Sequence, residues 1–169
     1  MSTRALINFV NREEGVSFSG HPGVDKIHTQ IYHHYDGYPS GLGVTLASYL
    51  QDFTVVNGLM SGQGQVANGI GCLAAQVVFH LKDGPGNVYL HPPSRKEWED
   101  YEYFIWSKEG HGVWISIFDW EGNCIFVGQP SNLIDKYKPT QEQLDKEDNQ
   151  AILNAEDPNY PTGDHRADL

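Results

Sequence analysis

Cysteine is scarce in this chain, with only Cys72 and Cys124 among 169 residues. Two thiols cannot staple a small exported domain, so a reducing compartment is the expectation. Long apolar runs are missing too. Nothing approaches the roughly 18 consecutive apolar residues a spanning helix needs. The opening MSTRALINFV carries a single Arg and is interrupted by Asn8, which makes it too short and too polar for a secretory core. These absences predict a cytoplasmic protein with no membrane partner. Basic residues are few, 11 Lys and Arg against 22 Asp and Glu, for a net charge of -11. Phosphate backbones are gripped by clustered Lys and Arg, so direct nucleic-acid binding is not expected. An acidic surface suits solubility, and it equally suits docking onto a basic protein surface.

What is present is an ordinary globular composition, 39% apolar, in a chain long enough to bury a core without staples. TRALINFV reads as a first strand closed by the turn signal NREEG. In DKIHTQIYHHY, alternation places Ile27, Thr29, Ile31 and His33 on one face, and Lys26, His28, Gln30, Tyr32 and His34 on the other. SGLGVTLASYLQDF repeats Leu42, Leu46, Tyr49, Leu50 and Phe53 at helical spacing, with Ser40 as the expected cap. NGLMSGQGQVANG reads as a Gly-rich loop. IGCLAAQVVFHL then sets Ile70, Leu73, Val77 and Leu81 on one helical stripe, stopped by Gly84 and Pro85. Because Ala74, Ala75 and Val78 are apolar as well, this should be the most buried helix.

NVYLH, YEYFIW, VWISIFDW and CIFVG supply four more strands, joined by short turns that imply antiparallel pairing. The order ββααββββ predicts an α+β fold, mainly an antiparallel twisted sheet with two helices packed on one face. That single domain is expected over residues 1–137, followed by an acidic C-terminal extension over 138–169. The extension holds eight acids against three bases, and Thr140 with Gln143 outlines a short polar helix over 141–154.

The densest chemistry lies in IYHHYDGYPSGLG, where a strand ends and a helix begins. Backbone N–H groups at a helix start have no internal partner and attract a small anion. Tyr35 and Tyr38 offer flat apolar walls with hydroxyl tips, and Asp36 can accept a donor. The same residues also read as a plain corner, with Gly37 at positive φ and Pro39 fixing the next residue. Asn68, with Gln63 and Gln65, gives amide donors at a second helix start, but G-x-G at 62–64 lacks the surroundings of a nucleotide loop. Cys72 near a helix N-terminus, with His34 as base, outlines a thiol hydrolase or transferase. Its setting, CLAAQVVF, reads equally as core packing. The spacing of His21, His28, His33 and His34 matches no zinc pattern, so neither metal nor cofactor is expected.

In combination and order, MSTRA, IYHHYDGYPSGLG, NGIGCLAAQVVFHLKDGPGNVYLHPP and a closing hairpin resemble a family of small bacteriophage and bacterial proteins, over residues 1–127. The resemblance implies a phage context and marks Arg4, His34, Tyr35, Asp36, Gly37, Tyr38 and Cys72 as its recurring polar positions, which would form one concave site if they converge. It implies no particular reaction. Three functions are expected. The first is a non-catalytic accessory protein that occupies a basic host surface, as an inhibitor of a defence enzyme would, or holds a small anionic, nucleotide-like ligand. The second is the Cys72/His34 enzyme, and the third a virion or assembly component, with self-association possible.

Overall fold

In a computed structural model, residues 3–11, 26–58, 64–93, 99–107 and 112–140 are described. Contacts divide the chain into Met1–Lys138 and Pro139–Leu169. The polar helix expected over 141–154 and the rest of the acidic extension lie outside the described residues, as do His21, Gly62 and Gln63.

The first unit is α+β. The described residues hold eight strands, β1 (Ala5–Val10), β2 (Ile27–His33), β3 (Phe53–Val56), β4 (Gln65–Asn68), β5 (Val88–His91), β6 (Tyr101–Ser107), β7 (Val113–Asp119) and β8 (Cys124–Gly128). The helices are α1 (Val44–Leu50), α2 (Gly69–Leu81) and α3 (Pro130–Tyr137). A six-stranded sheet runs in the order β5-β2-β1-β6-β7-β8, antiparallel except for the central β1–β6 pair, which is parallel. Every residue of β1 is buried, as befits a strand with neighbours on both edges.

All three helices pack on one face of this sheet. Ala5, Ile7, Phe9, Ile31, Tyr103, Ile105, Ile115 and Ile117 project there from alternate strand positions. They meet Leu42 just before α1, Leu46 and Leu50 of α1, Leu73 and Val77 of α2, and Leu133 of α3. Full burial of each such Leu or Ile is worth about 1.5–3 kcal/mol. The middle of the opposite face is buried as well, while Trp114, Val127 and Tyr89 toward its margins are exposed. Phe104, Trp106 and Phe118 are buried there, and Gln30 Nε2 donates to Asn8 Oδ1 across 2.8 Å.

The sequence-based expectation needs four corrections. Three helices cover the face rather than two, because Pro130 opens α3, a short helix whose Leu133 is fully buried. Ser40 does not cap α1; the chain makes one wide turn of π type over Pro39–Gly43, with Tyr38 in the cap position, before α1 starts at Val44. Phe53 leaves the helix to begin β3, which pairs in parallel with β4 and turns the flanks of the Gly-rich loop into a second, two-stranded sheet. Finally, α2 buries its Ile70, Leu73, Val77 and Leu81 stripe but leaves Ala75 and His80 exposed, and Phe79 is 86% exposed.

A bulge also overrides the simple alternation in β2. Phe9 pairs with Thr29 but Val10 with Ile27, so His28 is the extra residue. Ile27 thereby packs with Val10 on the far face, and the His28 ring turns onto α2, filling the space a side chain on Gly71 would need. Among the described residues no helix is long and apolar enough to cross a membrane.

Candidate functional site

The corner after β2 stands on the N-terminal ends of β1 and β6. The Gly37 N–H donates to the Thr3 carbonyl at 3.0 Å, and the Gly37 carbonyl accepts the buried Tyr103 hydroxyl at 2.8 Å. Burial pushes the Tyr103 phenol far above its ordinary range, which keeps it a hydrogen-bond donor. Gly37 touches the strand so closely that a Cβ built on it would lie 2.8 Å from Ala5 Cβ and from the Arg4 carbonyl carbon. Close approach, then, is why glycine stands at 37. The positive φ expected of it belongs instead to Asp36, at 52°.

That left-handed residue lifts its side chain off the scaffold. The Asp36 carbonyl accepts from Leu42 N at 2.9 Å, and the Tyr38 carbonyl accepts from Gly41 N at 3.0 Å and Gly43 N at 3.4 Å. The helix-start N–H groups that would draw an anion are therefore largely occupied. Asp36 is exposed, and among the described residues its carboxylate makes no hydrogen bond or ion pair. On either side, Tyr35 is 51% and Tyr38 38% exposed. Neighbours hold both rings. Tyr38 lies over Gly41, where a Cβ would come within 2.7 Å of Cε2, and Tyr35 meets the His34 ring edge-on at 4.5 Å. His34 Nδ1 is 2.7 Å from the Tyr32 hydroxyl, and Tyr32 stacks on His91 at 5.3 Å, so the aromatic contacts continue from the corner to β5.

The described contacts bring Arg4, His34, Tyr35, Asp36, Gly37 and Tyr38 together. Arg4 contributes its backbone, since its N–H donates to Asp100 Oδ2 at 2.7 Å and its carbonyl accepts from Asp100 N and Tyr101 N; its side chain is exposed. Asn68 and Cys72 belong elsewhere. Asn68 precedes α2 and takes the Gly58 N–H on Oδ1 at 3.0 Å, tying the end of β4 to the chain beyond β3. Beside it, Val10, Asn11, Val55, Val56, Asn57, Gly69, Ile70 and Ser107 line an open cavity of about 260 Å³. Residues 4 to 10 of an extended strand span about 20 Å, so that cavity and the corner sit at opposite ends of β1. Cys72, within a turn of Gly69, is nearer the cavity. Its Sγ faces Gln76 Nε2 at 3.4 Å within its own helix, and no contact with His34 occurs among the described residues.

Sequence reasoning misses Thr3 and Tyr103, which hold Gly37 from distant parts of the chain, and the cavity residues Asn57 and Ser107. Only strand pairing reveals those neighbours. Among the described residues, no three His, Cys, Asp or Glu side chains gather in a way that would hold a metal ion.

His33 lies at the base of the corner, and among the described residues its buried Nδ1 makes no hydrogen bond. Its pKa falls below 6.5, chiefly through burial and slightly through His34; the Tyr35 backbone and the Asp36 charge oppose the shift less strongly. The folded state thus resists a proton that the unfolded chain accepts. The stability this group contributes is complete above its unfolded pKa of 6.5 and is lost as pH falls from there through the folded value. Melting temperatures measured at about pH 7.5 and about pH 5.5 should drop toward acid, and the drop should be smaller in His33→Gln. Equal drops in the two proteins would remove His33 as the cause.

Compared with known proteins, the chain matches no family model, no curated protein and no solved structure.

Proposed function

We propose that this is a binding protein without chemistry of its own, which presents the YDGYP corner to the basic surface of another protein. In the phage context implied by its sequence words, it acts in the host cytoplasm as an accessory protein that covers a defence or nucleic-acid enzyme. One observation carries the reading: Asp36, whose carboxylate is unpaired among the described residues, is held at φ 52° between two exposed tyrosines on a fixed backbone. Non-glycine residues adopt such angles at a cost, and that cost is commonest where a side chain must be aimed. Rigid tyrosines give contact area at little entropic cost. The net charge of -11 favours a basic partner and speeds its capture.

Two other readings have less support. An anionic ligand would face the Asp36 carboxylate and find the N–H groups of Gly41, Leu42 and Gly43 already donating. A thiol enzyme needs a base at Cys72, where the described polar neighbour is an amide.

The test is native mass measurement of the protein recovered from host extract, beside Asp36→Arg and a Tyr35→Ser/Tyr38→Ser double variant. A protein partner should travel with the wild type and fall at least about tenfold in both variants, with unfolding free energy lowered by no more than about 1–2 kcal/mol, part of it the left-handed strain that arginine meets at position 36. Full retention of the partner in both variants overturns the proposal. So does measured turnover that depends on Cys72.

A further inference from the structure

We propose that the corner is an arginine clamp: Asp36, with Tyr35 and Tyr38 beside it, takes the guanidinium of an arginine displayed by the partner protein. The inference rests on the binding role argued above and names the group that is bound. An exposed carboxylate without a partner calls for a cation. Arg4, whose backbone touches Gly37, makes no ion pair with Asp36, so no described residue meets the charge. The two phenol rings decide which cation fits. An ammonium is compact and strongly hydrated, and it gains little from a flat aromatic wall. A guanidinium is planar and weakly hydrated, stacks on aromatic faces, and offers paired N–H donors that match a carboxylate fork.

Its remaining donors suit phenol hydroxyls, which accept as readily as they donate. Because Gly41 and His34 already hold the rings, little side-chain freedom is lost when the cation arrives. Asp36, raised on a left-handed residue whose carbonyl is tied to Leu42, is placed in advance as well.

The probes are N-acetyl-arginine amide and N-acetyl-lysine amide, titrated into the full chain while the backbone amide resonances of Gly37, Tyr38 and Gly41 are followed. The arginine compound should shift these resonances with an affinity at least about fivefold above the lysine compound. Asp36→Asn, which tolerates the same backbone angle, should cut the arginine affinity at least about fivefold while leaving the other resonances in place. Equal response to the two compounds, or an arginine response unchanged in Asp36→Asn, overturns the clamp. Those failures differ from failure of the broader role, which would show as a protein partner fully retained by both Asp36→Arg and the Tyr35→Ser/Tyr38→Ser variant.

Discussion

Gly37→Ala should destabilise the first unit by about 3 kcal/mol, a drop in melting temperature of roughly 10 °C. The added methyl would lie 2.8 Å from Ala5 Cβ and from the Arg4 carbonyl carbon. Neither can yield, because β1 is paired on both edges and entirely buried. Relief requires lifting the corner, which breaks the Gly37 N–H bond to Thr3 and withdraws the acceptor of the buried Tyr103 hydroxyl. An orphaned buried hydroxyl alone costs about 1–3 kcal/mol.

Gly71→Ala is the control. Its methyl would meet His28 Cε1 at the same 2.8 Å, but that atom is the far end of a side chain. The ring can swing, and alanine returns about 1 kcal/mol of helix propensity, so the net change should stay within about 1 kcal/mol. Urea titration of the two variants checks the contrast. If both melt alike, the account of Gly37 as a point of contact between backbones is wrong.

That contrast marks what a one-dimensional pattern can carry. β1, β2 and β5 to β8 are legible because alternation and turn residues act locally, and Glu121-Gly122-Asn123 makes the short turn between β7 and β8, with Gly122 at φ 85°. The α2 stripe is legible for the same reason. The parallel β1–β6 pair is not, because no turn joins strands so far apart in the chain and hairpin logic speaks only of neighbours. The His28 bulge is hidden too. Alternation assigns faces to Ile27 and His28, and only the register against Phe9 and Val10 reverses them. Helix α3 carries a readable sign, Pro130 before Leu133, Ile134 and Tyr137 at helical spacing.

At the corner, the residue types are readable but their roles are exchanged. A sequence containing Asp-Gly favours glycine for the left-handed angle, yet Asp36 takes it. The reason lies across the fold, since Thr3, Ala5 and Tyr103 claim Gly37 for close contact and leave the angle to its neighbour. The same logic separates Asn68 and Cys72 from the corner. They open α2 at the Val10 end of β1, whereas Asn87, beyond the other end of that helix, bonds His34 through its carbonyl.

Asp36→Gly should hold or raise stability while it weakens partner capture at least tenfold, about 1.4 kcal/mol. A left-handed angle costs a non-glycine residue roughly 1–2 kcal/mol, less for aspartate. Glycine removes that strain but frees the unfolded chain by about 0.5–1 kcal/mol. The two nearly cancel, and no described contact of the carboxylate is lost, so the net gain should be near 0.5 kcal/mol at most. Capture suffers because the charge disappears. Urea midpoints and native mass measurement on one preparation give both numbers. Opposite movement is the mark of a residue kept under strain for what it touches outside the chain. A loss of stability of about 1 kcal/mol or more would instead mean that the carboxylate supports the fold, and neither the binding surface nor the clamp would survive that result.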